Sequence, residues 1–306
     1  MRDRVAGGAP VRTDDGISRE AGDPSARQRL AAELRQLRGL AGVSGRQLAQ
    51  RIKISQSKVS RIESGTALPS LPEALAWADA TGASRKVREQ LATLTEAAFT
   101  EVNPWREALA TRPHLQDETG EREAKARTIR TFHPAAVPGL LQTAEYARRV
   151  FSLSEVSYAE EDIAGAVAAR LRRQLALYEE DRQFHFLISE GALRWRPGPA
   201  RVLLAQLDRV ASVSTLDNVT VGLVLYGREM AACPSHGFTL YEGDAHGDSD
   251  AHVGVETTHA NLIVNHPDDV ALYRRKWLML SRTAIYQDEA REFIAQLGAE
   301  IRATAQ

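Results

Sequence analysis

Hydrophobic and polar positions between residues 46 and 69 predict two short helices joined by a tight turn. Ser44 and Ser55 precede these helices and are good N-caps, because a serine hydroxyl accepts a hydrogen bond from an orphan backbone N–H. Gly65 follows the second helix, as a C-cap glycine would. The apolar side chains recur at helical spacing and can meet on one buried side: Leu48, Ala49, Ile52, Ile54, Val59 and Ile62.

The periodicity of the remaining chain predicts helices as far as residue 181 and a mixture of helices and strands beyond it. Helical patterns cover residues 84–110 (with a break near Asn103-Pro104), part of 111–134, 140–151 and 160–181. The core face of the third pattern is formed by Leu140, Leu141, Tyr146 and Val150. Strands are predicted in FHFLIS, NVTVGLVLY (a central strand), GFTLYEG, AHVGVETT and NLIVNH, and the last two form a hairpin. A helix over 198–214 predicts one parallel crossover, and closing helices cover 268–285 and 287–304.

These patterns predict an α+β protein with four segments. Residues 1–26 are rich in Gly, Asp and Arg and are expected to form a disordered tail. Residues 27–83 are expected to form an all-α helix-turn-helix domain and residues 84–110 connecting helices. Residues 111–306 are expected to form a C-terminal regulatory or partner-binding domain with a small mixed sheet flanked by helices.

Positive charge is concentrated in the predicted helix-turn-helix segment. Between residues 27 and 65, nine Arg and Lys residues face two Glu residues, a balance of +7, whereas the whole chain has a net charge of −1. A basic segment in a chain of near-neutral charge is typical of a nucleic-acid-binding surface. The segment lacks the aromatic residues that stack on single-stranded bases, so double-stranded DNA is the favoured partner over RNA.

The spacing of the polar residues predicts which side chains contact DNA. Gln56 is the first side chain after the Ser55 cap, and an amide can bond the N6 and N7 atoms of adenine. Ser55 would place the positive end of the helix dipole beside a phosphate. The full predicted set is Arg46, Gln47, Ser55, Gln56, Ser57, Lys58, Ser60 and Arg61.

Residues 27–82 resemble the XRE-type helix-turn-helix domain of phage-repressor-like regulators. The resemblance is carried by Leu48-Ala49, Ile54-Ser55-Gln56-Ser57, Val59-Ser60-Arg61-Ile62-Glu63-Ser64-Gly65 and Pro69. It implies a sequence-specific DNA-binding transcriptional regulator. This chain departs from the family pattern at Gly45, where the family usually has Gln, and at Lys53, where it usually has Gly. The second departure predicts a left-handed backbone at Lys53.

The C-terminal part resembles the large domain of uncharacterised function found behind XRE-type domains in antitoxin-like bacterial regulators. The resemblance is carried by VPGLLQT (137–143) with YAR (146–148), by Arg170-Leu171 and Arg173-Gln174, by SEGALR (189–194) and by VGVE (253–256). It implies a regulator that is often encoded beside a small partner protein, with links to development or secondary metabolism. It implies no established chemistry.

The chain contains no motif for catalysis, so we expect no enzyme activity, no catalytic residues and no cofactor. The GxSxG, P-loop and GxGxxG motifs are absent. Five histidines and several aspartates lie between residues 236 and 266 without HxH or HExxH spacing, and EGDAHGDSDAH reads better as a polar loop than as a metal site. Cys233 stands alone, which excludes an intramolecular disulfide and fits a reducing cytosol.

We expect a cytoplasmic protein that associates with the nucleoid when it binds DNA. No run of 18 apolar residues is present, which argues against a membrane partner. One recognition helix covers too few base pairs to find a site in a genome, so a homodimer is expected. Its interface is expected on the closing helices, at Trp277, Leu278, Leu280, Phe293, Ile294 and Leu297.

Three hypotheses remain open from the sequence. The first is a transcriptional regulator whose C-terminal domain senses a partner protein or a small metabolite, in a pocket near residues 138–146 and the strand ends at Glu190 and Glu256. The second is an antitoxin-like protein that neutralises a small neighbouring-gene product and autoregulates its operon. The third is an enzyme tethered to DNA, against which the missing motifs argue.

Overall fold

The computed structural model describes residues 25–110, 112–154, 158–243 and 251–304. The helices are α1 (Ala26–Leu40), α2 (Gly45–Ile52), α3 (Gln56–Glu63), α4 (Leu71–Thr81), α5 (Arg85–Ala98), α6 (Trp105–Ala110), α7 (Gln116–Lys125), α8 (Ala144–Ser152), α9 (Glu160–Arg173), α10 (Glu190–Arg194), α11 (Ala200–Val213), α12 (Pro267–Thr283) and α13 (Gln287–Thr304). The strands are β1 (Thr100–Pro104), β2 (Thr128–His133), β3 (Gln183–Ser189), β4 (Val219–Val224), β5 (Phe238–Glu242), β6 (His252–Glu256), β7 (Ala260–Val264) and β8 (Ile285–Tyr286). Short 3-10 helices cover Gly139–Leu141 and Gln174–Tyr178.

Helices α1 to α5 (residues 26–98), called the head below, pack around one hydrophobic core. Trp77 lies at its centre and donates from its ring nitrogen to the backbone oxygen of Leu34 at 3.1 Å. The core is completed by Leu30, Leu48, Val59, Ile62, Leu91 and Ala98. Because α5 contributes to this core and packs on α1 and α4, it belongs structurally with the helix-turn-helix helices.

Residues 99–304, called the body below, are built on one eight-stranded mixed sheet. The strand order is β1-β7-β6-β5-β2-β3-β4-β8, and the pairs β2–β3 and β3–β4 are parallel. The predicted parallel crossover is confirmed, since α11 connects β3 to β4. The predicted hairpin is also confirmed by the antiparallel pairing of β6 with β7. The α+β class, with an all-α N-terminal part and a mixed sheet behind it, is therefore as the sequence predicts.

Alternating side chains divide the sheet into two covered faces. Phe184, Phe186 and Ile188 of β3 pack beneath α11 and α13, whereas Leu187 points to the opposite face, which α12 covers. Strand alternation of this kind places a hydrophobic core on each side of a sheet. Helices therefore cover part of each face of the sheet.

Several predicted elements are corrected by the structure. The connecting segment is not helical throughout, because Thr100–Pro104 forms the edge strand β1 where helices were expected. Strand β2 was missed within 111–134, and β4 is a penultimate strand rather than a central one. The expected disordered tail is too long by two residues, because Ser25 caps α1 and Ala26 begins it; its remaining residues, 1–24, lie outside the described part.

The expected dimer interface is mostly used inside the chain. Leu280, Ile294 and Leu297 are buried in the body's own cores, and Trp277 and Phe293 pack against those cores. Leu278 alone of the six predicted residues is well exposed, at 50%. No helix in the described part of the chain is long and apolar enough to cross a membrane.

Candidate nucleic-acid interface

Helix α3 presents a polar face to solvent. Its apolar residues Val59 and Ile62 are each 1% exposed and hold it in the head's core. At its N-terminus, the Ser55 hydroxyl accepts a hydrogen bond from the backbone N–H of Lys58 at 3.0 Å, as predicted for an N-cap. Gln56 and Ser57 are exposed, and the described residues provide their side chains with no hydrogen-bond partner. The geometry leaves the start of α3 available to an external ligand.

The turn between α2 and α3 depends on an unusual backbone at Lys53. This residue has φ 58° and ψ 41°, the left-handed conformation that the departure from glycine predicts. The backbone N–H of Ile54 then donates to the oxygen of Ala49 at 3.0 Å. Ala49 is 4% exposed, so a small residue is needed where the two helices meet. The left-handed conformation costs a non-glycine residue about 1 kcal/mol, which the packing of the two helices offsets.

Lys58 is engaged within the head by a neighbouring carboxylate. Its ammonium lies 2.6 Å from Oε1 of Glu73 on α4, while the other carboxylate oxygen of Glu73 accepts from the backbone N–H of Ser70. Burial alone would raise the pKa of Glu73, but the hydrogen bonds from Lys58 and Ser70 outweigh burial and lower that pKa. Lys58 can therefore reach a phosphate only by leaving or sharing Glu73.

Gln47 has a structural partner that sequence reasoning missed. Its amide oxygen accepts from the backbone N–H of Ser44 at 2.9 Å, and the Ser44 hydroxyl accepts in turn from the backbone of Gln47. This is a capping box, and the Ser-x-x-Gln spacing was a signal for it. Only the amide nitrogen of Gln47 remains for DNA, whereas Arg46 beside it is exposed.

Arg61 occupies the last turn of α3 with its guanidinium incompletely satisfied. Its Nε atom is buried and has no hydrogen-bond partner, although the side chain as a whole is only half-buried. A buried donor without a partner is uncommon in a folded protein. Ser60, next to it, is exposed. The structure therefore puts the predicted α3 residues on the head's surface, and it ties two of the predicted residues, Gln47 and Lys58, to partners inside the head.

Ion pairs reduce the positive charge available to DNA. The carboxylates of Glu73 and Glu101, from outside residues 27–65, pair with cations of this segment and offset part of its balance of +7. Ion pairs of this segment include Arg38–Glu63 (2.5 Å), Lys58–Glu73 (2.6 Å) and Arg27–Glu101 (3.2 Å). The head nevertheless remains basic, as a DNA-binding surface requires.

The guanidinium of Arg27 connects the end of the recognition helix to the body. Its Nε and Nη2 atoms donate to the backbone oxygens of Gly65 (2.6 Å) and Thr66 (2.8 Å), directly after α3. Its Nη1 atom lies 3.2 Å from the carboxylate of Glu101 in β1. One side chain of α1 thus contacts both the segment that directly follows the recognition helix and the sheet of the body.

In the body, Glu190 and Glu256, which the sequence analysis expects at one pocket, do not line the same cavity. Glu190 accepts hydrogen bonds from Arg194 and from the backbone of Tyr226. Glu256 lines a cavity that Glu190 does not line. Tyr146 is buried, which raises the pKa of its hydroxyl to about 12, and this hydroxyl accepts from the backbone of Val137. Residues 138–146 therefore contribute to the core rather than to this cavity.

Metal-ligating side chains do not cluster in the described residues. No group of three His, Cys, Asp or Glu side chains there could hold a metal ion. Asp244, His246, Asp248 and Asp250, which the sequence analysis assigned to a polar loop, lie outside the described residues. Cys233 is exposed.

Comparison with known proteins identifies two family matches. Residues 116–296 match the family described as "Domain of unknown function (DUF5753)", and residues 29–91 match the family described as "Helix-turn-helix domain". No curated protein matches the chain.

Three solved structures show partial similarity to the chain. An HTH_3 family transcriptional regulator from Vibrio cholerae is 20% identical, with a TM-score of 0.21 over 26% of this chain and 49% of that one. A phospholipase D family member, Nuc from Salmonella typhimurium, is 11% identical, with a TM-score of 0.29 over 61% and 97%. TrmBL2, an archaeal chromatin protein, is 10% identical, with a TM-score of 0.27 over 83% and 92%. The chain spans about half the length of the Vibrio regulator, and similarities this low support no functional conclusion.

The two family matches fit the division seen in the structure. The helix-turn-helix match falls within the head, whose exposed α3 and basic charge suit a DNA-binding domain, and the second match covers most of the body. The chain belongs to the family defined by the DUF5753 domain and carries it behind the helix-turn-helix domain of a DNA-binding regulator.

Proposed function

We propose that this protein is a sequence-specific transcriptional regulator that binds double-stranded DNA as a homodimer. The observation that carries the proposal is the exposed polar face of α3, whose opposite face is held in the head's core by Val59 and Ile62. A helix that enters the major groove needs this division between a buried face and a face of hydrogen-bonding groups. Within α3, Gln56 reads a base edge, while Ser55 and Arg61 contact phosphates.

The proposal assigns supporting roles to the remaining predicted residues. Ser57 and Ser60 lie on the exposed face and are close enough to the helix start to meet bases or phosphates. Lys58 exchanges Glu73 for a phosphate when DNA binds. Arg46 contacts a phosphate from α2, and Gln47 holds the start of α2 in place and offers only its amide nitrogen. These assignments rest on exposure and hydrogen bonding in the free protein.

The proposal also gives the body a sensing role. Strand β1 follows α5 after one residue and pairs along its length with β7, so the head leads directly into the sheet of the body. Arg27 adds a second connection between Glu101 in β1 and the end of α3. A small ligand or a partner protein that shifts β7 can therefore change the setting of α3. A ligand can alter DNA affinity only by as much as it prefers one arrangement over another.

Genome-wide footprinting of the tagged full-length protein tests this function. The wild type should occupy a limited set of sites that share a palindromic sequence. A Gln56→Ala, Arg61→Ala double variant should lose these sites, because it removes a base contact and a phosphate contact. The matched control is Arg172→Ala, which removes an exposed arginine from the body. Site occupancy by the double variant that equals wild type would exclude α3 as the recognition helix.

A further inference from the structure

The body contains a cavity of about 360 Å³ that the proposed function leaves without a named ligand. Its volume lies within the range of about 300–1,000 Å³ found for small-molecule sites. Four neighbouring strands, β2, β5, β6 and β7, contribute to it, and α7 forms a wall. In the strand register, Glu256 lies opposite Asn261, and Gly254 lies opposite Thr239. Among the lining residues, Arg122, Glu256 and Asn261 carry the inference.

Hydrogen-bond acceptors in this cavity lack partners. The Oδ1 atom of Asn261 is buried and accepts no hydrogen bond in the structure. Glu256 is exposed at the cavity, and its carboxylate has no hydrogen bond or ion pair among the described residues, so the cost of burial without a partner applies to Asn261 alone. Buried polar atoms in folded proteins are nearly always satisfied, so an orphan acceptor beside a cavity indicates a missing donor. A ligand that carries hydroxyl groups would supply it.

Positive charge exceeds negative charge around the same cavity. Arg170 on α9 interacts electrostatically with His133 and Glu256, which line the cavity. It donates only to amide oxygens, those of Gln116 (3.1 Å) and Gln142 (2.6 Å), with its guanidinium 4.1 Å above the ring of Phe151. In the described residues, no carboxylate lies within ion-pair distance of Arg170. Burial, reinforced by the charge of Arg173, lowers the pKa of Arg170 to about 10, which still leaves it charged at neutral pH.

The other charged groups do not cancel this excess. Arg173 is held by both carboxylate oxygens of Glu123, at 2.9 and 2.5 Å, so those two charges offset each other. Arg122 lines the cavity and reaches only a carboxylate 3.7 Å away, that of Glu118, which also pairs with Arg112. Glu256 is the one carboxylate among the described residues lining the cavity, and its charge acts on Arg170, so a single negative charge faces the two positive charges of Arg122 and Arg170. The site as a whole favours an anion.

We propose that this cavity binds a small hydroxylated oxyanion, a carboxylate or phosphate, whose anionic group faces Arg122 and whose hydroxyl groups donate to Asn261 and Glu256. Arg170 adds long-range attraction. The inference deepens the proposed sensing role, because Asn261 lies in β7 and pairs in register with Asn103 of β1. Binding of the oxyanion in the cavity and its effect on DNA affinity are two separate properties, and each has its own test.

Calorimetric titration of the full-length protein without DNA tests the site. The probes are glycerol 3-phosphate, glycerate, inorganic phosphate and glycerol, which separate the phosphate, the carboxylate and the hydroxyl groups. We expect glycerol 3-phosphate or glycerate to bind at least about tenfold more tightly than glycerol, since hydrogen bonds to charged groups are the stronger ones. The better of the two identifies the oxyanion. Inorganic phosphate should bind more weakly than glycerol 3-phosphate, because it lacks the hydroxyl groups.

Matched variants locate the binding. Arg122→Gln should weaken oxyanion binding at least about tenfold, whereas Arg172→Gln, an exposed arginine of α9, should leave it unchanged. Glu256→Gln should reduce the preference for glycerol 3-phosphate over inorganic phosphate. If Arg122→Gln fails to melt cooperatively, Arg122→Lys keeps the charge without the planar fork and should give intermediate binding. The proposal is overturned if neither oxyanion binds at concentrations up to about 10 mM, or if binding survives the loss of Arg122 unchanged.

A second measurement separates this inference from the proposed function. Operator affinity is compared with and without the oxyanion that binds, in wild type and in Arg122→Gln. Binding in the cavity without any change in operator affinity would keep the site and remove its sensing role. A change in operator affinity that persists in Arg122→Gln would keep the sensing role and remove this site.

Discussion

At the residue scale, Gln56 is the side chain expected to set DNA specificity. It is exposed at the start of α3 and has no partner in the described residues. Gln56→Ala should reduce discrimination between the operator and its point variants by ~1–3 kcal/mol and should change affinity for random DNA little. Competition binding assays with operator variants measure both. Gln90→Ala, at an exposed glutamine of α5 outside the predicted DNA-contacting set, provides the control, and equal losses on operator and random DNA would identify Gln56 as a phosphate contact.

Because Glu73 holds Lys58 in an ion pair, we expect a substitution at Glu73 to tighten DNA binding. Glu73→Gln keeps the acceptor for the Ser70 backbone, because Gln also serves in a capping box, but it removes the charge that holds Lys58. Operator affinity should rise several-fold, and the slope of log affinity against log salt should become steeper by about 1, as one more phosphate is contacted. Asp79→Asn, an exposed acidic residue on the same helix, is the control. An unchanged salt slope would show that Lys58 does not reach the DNA.

Replacing Gly45 should stabilise the protein, because the backbone conformation at this position does not require glycine. It begins α2, and an added Cβ would lie 3.7 Å from Cγ1 of Val59, an ordinary contact. Gly45→Ala should raise the free energy of unfolding by about 0.5–1 kcal/mol. Gly65→Ala should do the opposite, since Gly65 has φ +74°. Chemical denaturation measures both variants, and destabilisation by Gly45→Ala would contradict the prediction.

At the element scale, the head was predictable from sequence because its signals are local. Serine caps, the Ser-x-x-Gln spacing and the apolar periodicity each act within one or two helical turns. Strand β1 was not predictable in this way, because Thr100–Pro104 becomes a strand by pairing with β7, which lies about 160 residues along the chain. Likewise, the cavity is formed by α7 and four strands that the sequence does not bring together.

Because Arg27 connects β1 to the end of the recognition helix, we expect a substitution in β1 to change DNA affinity. Arg27 contacts both Glu101 and the backbone that follows α3. Glu101→Gln removes the negative charge that Arg27 faces. Because ion pairs at a protein surface contribute about 0.2–1 kcal/mol, and this pair is partly exposed, operator affinity should change by up to about fivefold in the full-length protein. Glu96→Gln, an exposed residue of α5, is the control. Identical operator affinities for the two variants would show that β1 and α3 are not coupled through Arg27.

At the scale of the whole molecule, the distribution of exposed apolar residues revises where a dimer could form. The sequence predicted an interface along both closing helices, yet most of those side chains fill the cores of the body. What remains exposed on α12 is Leu272 (53%), Leu278 (50%) and Met279 (38%). Leu272 and Met279 are two helical turns apart and so lie on one face. Helix α12 thus carries an exposed apolar stripe, which a second copy of the chain can cover.

We expect the protein to form a homodimer through α12. Two heads spaced about 34 Å apart would contact half-sites separated by about 10 base pairs, as a twofold-symmetric regulator requires. The full-length protein should sediment as a dimer, and Leu272→Glu with Met279→Glu should shift it to monomer and weaken operator binding, because each monomer then binds one half-site alone. Leu175→Glu, which charges a still more exposed leucine elsewhere on the body, is the control and should sediment as wild type. A wild-type protein that remains monomeric with and without operator DNA would exclude the dimer, whereas a dimer that survives the α12 variants would place the interface on another surface.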